Sequence, residues 1–194
     1  MSRASKPLAH LFAGLTLATI LPIITLLLSP RRAAPANKIQ EEPQSSALKP
    51  ELQPLSYFIG QWNCSGEFPA SHKPISSRIS ISSDLDGYWL AFRWDDNPPS
   101  QFHALELWGF DKAAKQFTNS IYDNFGGMRI FHSSGWTADE LTWGPRDLPP
   151  NSPIVSERFV FDRKSAKEFV ISWEVRRTQA QQWTVGDRLT CQQQ

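Results

Sequence analysis

Tyr57-Phe58-Ile59-Gly60-Gln61-Trp62-Asn63-Cys64-Ser65-Gly66-Glu67-Phe68 is the stretch on which the fold turns. Phe58, Gly60, Trp62, Cys64 and Gly66 occupy every second position from Phe58 onward. A period of two sends successive side chains to opposite faces of an extended chain, so the stretch reads as a strand with one buried face.

The same pattern continues toward the C-terminus. Pro74–Ser83 carries Ile75, Ile79 and Ile81, and Tyr88–Trp94 carries Tyr88, Leu90, Phe92 and Trp94 in step. Between them Asp86-Gly87 is a tight-turn signal, because glycine accepts positive φ at little cost. Further strands are expected over Phe102–Phe110, Phe117–Asp123, Met128–Ser133, Glu140–Trp143, Ile154–Phe161, Glu168–Val175 and Trp183–Cys191. Asp111–Gln116 reads as a turn or a single helical turn, Gly135 as a bulge or bend, and Pro145–Pro153 as a loop. No helical periodicity of useful length follows residue 52. The expectation is an all-β domain, a ten-stranded antiparallel up-and-down barrel over residues 52–194. A meander this long closes to remove its edges.

Toward the N-terminus the character changes. Ser29–Pro54 is polar and rich in proline and cannot bury enough apolar surface to offset its ordering entropy, so residues 29–51 read as a linker. Residues 1–28 hold Arg3 and Lys6 followed by the uncharged run Leu11–Leu28, expected to form a hydrophobic helix. A positive start before an apolar stretch is the pattern of an export signal. Ala34-Pro35-Ala36 has the small-x-small form of a cleavage site, whereas Arg31 and Arg32 suit a retained anchor. Signal peptide and membrane anchor therefore both stand. Either reading places the domain in the periplasm or elsewhere outside the cytoplasm, with the inner membrane as partner if residues 11–28 are kept.

The 20 basic and 19 acidic residues nearly cancel. No dense basic face is present to meet a polyphosphate, and nucleic acid is not an expected partner. Eight Trp and 12 Phe supply flat apolar bulk for a core or a cavity wall. Glycine-rich phosphate loops, the Gly-x-Ser-x-Gly elbow and the His-Glu-x-x-His helix are all missing.

Gly60-Gln61-Trp62-Asn63-Cys64-Ser65-Gly66 resembles the Gly-x-Trp opening of the calycin superfamily, which holds lipocalins and fatty-acid-binding proteins. The longer Gly-x-Trp-x-x-x-Gly form is similar to the nitrobindin-like branch and to uncharacterised bacterial calycin-like domains. Leu107-Trp108-Gly109-Phe110-Asp111, Gly126-Gly127 and Ser134-Gly135-Trp136 echo that bacterial group. The resemblance implies a barrel whose interior is either filled or holds one small apolar ligand. Its nitrobindin side implies haem on a late histidine. Here the histidines are His10, His72, His103 and His132, none in the last three strands, so no cofactor is expected.

Cys64 and Cys191 fall in the first and last strands, which a closed barrel makes neighbours. An exported location favours a disulfide between them, and the alternative is two separate buried thiols. Distant cysteines with scattered histidines do not match zinc-ligand spacing. Trp94, Tyr122, His132 and Trp173 are the expected ligand-binding residues, with Arg93 a counter-charge for a polar head. Trp62, Trp108, Trp136, Trp143 and Trp183 suit core packing. Asp123, Asn119, Glu106 and Glu157 share faces with apolar neighbours, so any that point inward must be paired or hydrated. The expected function is the binding of a small hydrophobic molecule. The alternatives are a filled barrel acting as a structural or interaction domain, and an enzyme using His132 with Asp123 or Glu157 on a lipid-like substrate.

Overall fold

The computed structural model describes residues 47–194. The expected N-terminal helix and most of the linker lie outside the described residues. Within them the chain is all-β: β1 Gly60–Phe68, β2 Lys73–Asp84, β3 Trp89–Asp96, β4 His103–Asp111, β5 Gln116–Asp123, β6 Met128–Ser133, β7 Trp136–Thr137, β8 Glu140–Asp147, β9 Ser156–Ser165, β10 Glu168–Arg176 and β11 Thr184–Gln193.

All eleven strands form one antiparallel sheet in the order β6-β5-β4-β3-β2-β1-β11-β10-β9-β8-β7, curled into a half-barrel. Two features of the expected barrel are corrected. The extra strand is the two-residue β7, set off from β6 by Gly135 at φ 100°, a backbone conformation that glycine adopts freely. The ladder does not close either, since β6 and β7 are its two edges. Side chains span the remaining gap: Phe131 packs edge-on against Phe159 at 5.3 Å, and the Arg146 guanidinium sits over the Phe131 ring at 6.0 Å. Pro145, expected in a loop, lies within β8 at a register break between Trp143 and Arg146. A proline has no N–H to give to a ladder and is tolerated at such a break.

The main element invisible to two-residue periodicity is a 3₁₀ segment, Pro50–Phe58. Its apolar residues Leu52, Leu55 and Phe58 are three apart, the repeat of a helix with three residues per turn, and all are buried. Tyr57 and Phe58 therefore belong to this segment rather than to the first strand. The segment seals one end of the cup. Phe58 packs against Trp108, Trp136, Phe161 and Phe169 with ring centroids 5.2–5.6 Å apart. Trp62 Nε1–H donates to the Phe58 carbonyl at 2.8 Å, and Trp136 Nε1–H donates to the Pro54 carbonyl at 2.7 Å.

β1 and β11 are hydrogen-bonded neighbours, with Cys64 directly opposite Cys191. The two form the disulfide, at a Cα–Cα distance of 4.0 Å. Gly66 serves the same pairing: a Cβ there would lie 1.8 Å from the Arg188 carbonyl oxygen, so only glycine lets the strands approach this closely.

Candidate functional site

The end of the cup opposite the 3₁₀ segment is open. The β1–β2, β3–β4 and β5–β6 connections surround a cavity of about 340 Å³ there. Alternation dictates its lining, because each strand sends every second residue inward. Ile75 comes from β2, Trp94 and Asp96 from β3, Glu106 from β4, Ile121 from β5, Arg129 from β6, Phe159 from β9, Trp173 from β10 and Asp187 from β11. Phe102 and Phe125 stand at the rim, Phe125 with 74% of its surface exposed. From the rim an aromatic column runs inward: Phe125 to Phe102 at 6.3 Å, Phe102 to Trp94 at 6.1 Å, Trp94 to Phe92 at 6.2 Å and Phe92 to Trp108 at 5.0 Å.

Polar groups are set into this apolar wall. Asp96 Oδ1 accepts from Trp94 Nε1–H at 2.7 Å and from the Ser77 hydroxyl at 2.5 Å, while its Oδ2 accepts from the Ser100 hydroxyl. Glu106 Oε2 accepts from Trp108 Nε1–H at 2.8 Å and Asn119 Nδ2–H at 2.7 Å. Burial pushes the Glu106 carboxyl above the ordinary range, against those two donors and the Arg129 charge. Burial likewise pushes Asp187 up to about 6, and its Oδ1 has no hydrogen-bond partner among the described residues. Arg129 reaches Asp123 at 3.5 Å and Glu157 at 3.9 Å. Glu157 also accepts from Arg146 at 2.7 Å and from Trp173 Nε1–H at 3.0 Å.

Two of the five expected ligand-binding residues are here, Trp94 and Trp173. The other three lie away from the cavity. Arg93 lies between inward Phe92 and Trp94 and therefore points to solvent. Tyr122, beside buried Ile121, is 44% exposed on the outer face. His132 follows buried Phe131 and is exposed. On β6 it is Arg129, Phe131 and Ser133 that turn inward, while Met128, Ile130 and His132 turn outward. An apolar outer face on this edge strand made the wrong side look like the core. His132 pairs with Thr118, five residues before Asp123 along β5, which separates the two by about 17 Å at about 3.3 Å per residue.

Glu106, Asn119 and Glu157 are buried on inward faces as their apolar neighbours indicated. Sequence reasoning missed Asp96 and Asp187 as cavity groups. Asp96 continues the alternation of Phe92 and Trp94, a signal cut short by ending the strand at Trp94. Asp187 keeps step with buried Leu189 and Cys191 on β11, so its inward face was legible in the alternation but went unused. Gly186 also escaped notice: a Cβ there would lie 2.4 Å from the Trp173 ring, so its absence lets the indole lie against β11. Among the described residues no cluster of His, Cys, Asp and Glu is arranged to hold a metal, and no helix is long and apolar enough to cross a membrane.

With the cup and its cavity described, comparison with known proteins bears on the fold. The crystal structure of Rv2717c from M. tuberculosis superposes with a TM-score of 0.53 at 15% identity, covering 76% of this chain and 99% of that one. That is a likeness of fold, and it fits a β-barrel type of architecture. No protein-family model matches the chain, and no curated protein matches it.

Proposed function

We propose that this domain binds one small, largely apolar molecule in the mouth of the cup. The observation that carries the reading is the cavity of about 340 Å³, open to solvent and walled by Trp94, Phe102, Phe159 and Trp173. Concave apolar sites with a few convergent polar groups are the usual form of small-molecule sites. Aromatic walls provide large contact area at low conformational cost. The Gly60-Gln61-Trp62 opening and the cup architecture support placing the domain among calycin-type barrels. The Cys64–Cys191 disulfide and the apolar run at residues 11–28 support export, with the domain released into, or tethered within, an oxidising compartment.

Titration with the neutral fluorophore N-phenyl-1-naphthylamine tests the reading. One saturable site per chain is expected, weakened about tenfold or more when Phe102→Glu places a charge on the apolar rim. An unchanged titration in that variant would move binding elsewhere. A second reading, an interaction domain, draws on the outer face of β5 and β6, where Tyr122, Met128 and Ile130 are exposed side by side. Under that reading Met128→Lys abolishes association with an envelope partner and leaves the fluorophore titration intact. For the enzyme reading, the separation of His132 from Asp123 and the opposite faces of His132 and Glu157 remove the expected acid–base pairs.

A further inference from the structure

The charge set inside the cavity is lopsided. Asp96, Glu106 and Asp187 line it against one guanidinium, that of Arg129. Arg129 lies 3.5 Å from Asp123 and 3.9 Å from Glu157, and its buried Nε–H has no hydrogen-bond partner among the described residues. Arg146 is bound to Glu157 outside the cavity wall, and Arg177 stands in the neighbouring cleft at the mouth. The acids are not equally engaged. Asp96 is saturated by Ser77, Trp94 and Ser100. Glu106 is 4% exposed, and its two donors both go to Oε2, leaving the second oxygen without a protein partner among the described residues. Asp187 Oδ1 is buried and equally without one. A buried acceptor left unpaired costs free energy, about 1–3 kcal/mol by general experience, and persists where something else supplies the donor.

We infer that the molecule held in this cavity carries a protonated amine, or an equivalent organic cation, on a flat apolar body, with the cation placed between Asp187 and Glu106 and the body against Trp94 and Trp173. This rests on the binding reading above and adds the ligand's charge to it. A carboxylate such as a fatty acid meets the wrong sign, because three acids line the space against one base. A cation gives the free oxygens of Asp187 and Glu106 the donors they lack, and charge-assisted hydrogen bonds of this kind are the strong ones. The aromatic walls add attraction for a cation over their ring faces. The raised position of Asp187, at about 6, agrees with a carboxylate kept short of partners until the ligand arrives.

Three molecules with one indole body and different heads decide the matter: tryptamine, tryptophol and indole-3-propionate, each competing with N-phenyl-1-naphthylamine on the full chain. Tryptamine is expected to displace the fluorophore at a concentration at least about tenfold below that of indole-3-propionate, with tryptophol between. In Asp187→Asn/Glu106→Gln, tryptamine should fall to within about twofold of tryptophol measured on the same variant. If that variant does not fold by near-ultraviolet circular dichroism, the native chain answers through pH. Asp187 shares the cavity with Asp96 on β3, Glu106 on β4 and Arg129 on β6, and Arg129 in turn reaches Asp123 on β5 and Glu157 on β9. Tryptamine affinity should fall severalfold as pH drops through about 6, and tryptophol affinity should not. Indole-3-propionate binding as tightly as tryptamine overturns the inference and leaves the binding reading standing. So does an amine preference that survives the double variant or shows no pH dependence. Failure of the fluorophore and all three indoles to bind overturns both.

Discussion

The two ends of this half-barrel are built by the same rule and differ in what the rule delivers. At the sealed end, inward positions carry Trp62, Trp108, Trp143, Phe161 and Phe169, and the 3₁₀ segment adds Leu52, Leu55 and Phe58, all at or below about 2% exposure. At the mouth, the same strands carry Asp96, Glu106, Asp123 and Asp187 on inward positions between Trp94, Ile121 and Trp173. One end is close-packed and needs no partner. The other holds buried carboxyls and empty volume, which cost stability and are kept where they serve a site. Alternation identifies which side chains face inward; only the chemistry of those side chains separates a core from a cavity.

The contrast can be broken most forcefully at the sealed end. Phe58→Ala removes a ring packed against five others and should cost about 3–5 kcal/mol, read by chemical denaturation, with the surviving folded fraction still binding the fluorophore. A cost below about 1 kcal/mol would mean the plug is an ornament of the barrel. The disulfide comes next. Cys64 and Cys191 are 127 positions apart, and tying the first strand to the last should contribute about 2–5 kcal/mol. The double Cys→Ser variant, compared with the oxidised chain in denaturant, measures it.

At the mouth the sign reverses. A carboxyl raised to about 6 in the fold from about 3.8 contributes stability that is present below its unfolded value and lost as pH rises through the folded one. Asp187→Asn removes that loss and should stabilise the protein by about 1–3 kcal/mol above pH 6, with little change near pH 4. Melting curves at the two pH values check both arms, and destabilisation at high pH would show Asp187 to be a structural anchor. The smallest effect is expected at the rim. Phe125→Ala should shift stability by less than about 0.5 kcal/mol, because the ring is mostly exposed, and weaken fluorophore binding severalfold.

Much of this was legible in the sequence, and the losses have identifiable causes. Strand positions followed from period-two alternation, and the Cys64–Cys191 pairing followed from placing the first and last strands side by side. The 3₁₀ segment was missed because its period of three over nine residues, interrupted by Pro54, resembles neither a strand nor an α-helix. On β6 the outward set Met128, Ile130, His132 is as apolar as the inward set Arg129, Phe131, Ser133, so local pattern could not choose a face. Trp94 and Trp173 were expected on the cavity side, where they stand, because large aromatics occupied faces with clear alternation. Asp187 was not, although it keeps step with buried Leu189 and Cys191, because a charged residue between Gly186 and Arg188 carries no apolar signal.

By itself, the sequence determined the all-β class, the order of the main strands and the residues available to a core, because backbone alternation and turn chemistry act over a few neighbours. Only the tertiary structure decided that the ladder stays open between β6 and β7, that Phe58 plugs one end, and that Asp96, Glu106 and Asp187 from three strands line one cavity. These depend on sheet curvature, register and the meeting of residues far apart in the chain, which no local pattern encodes.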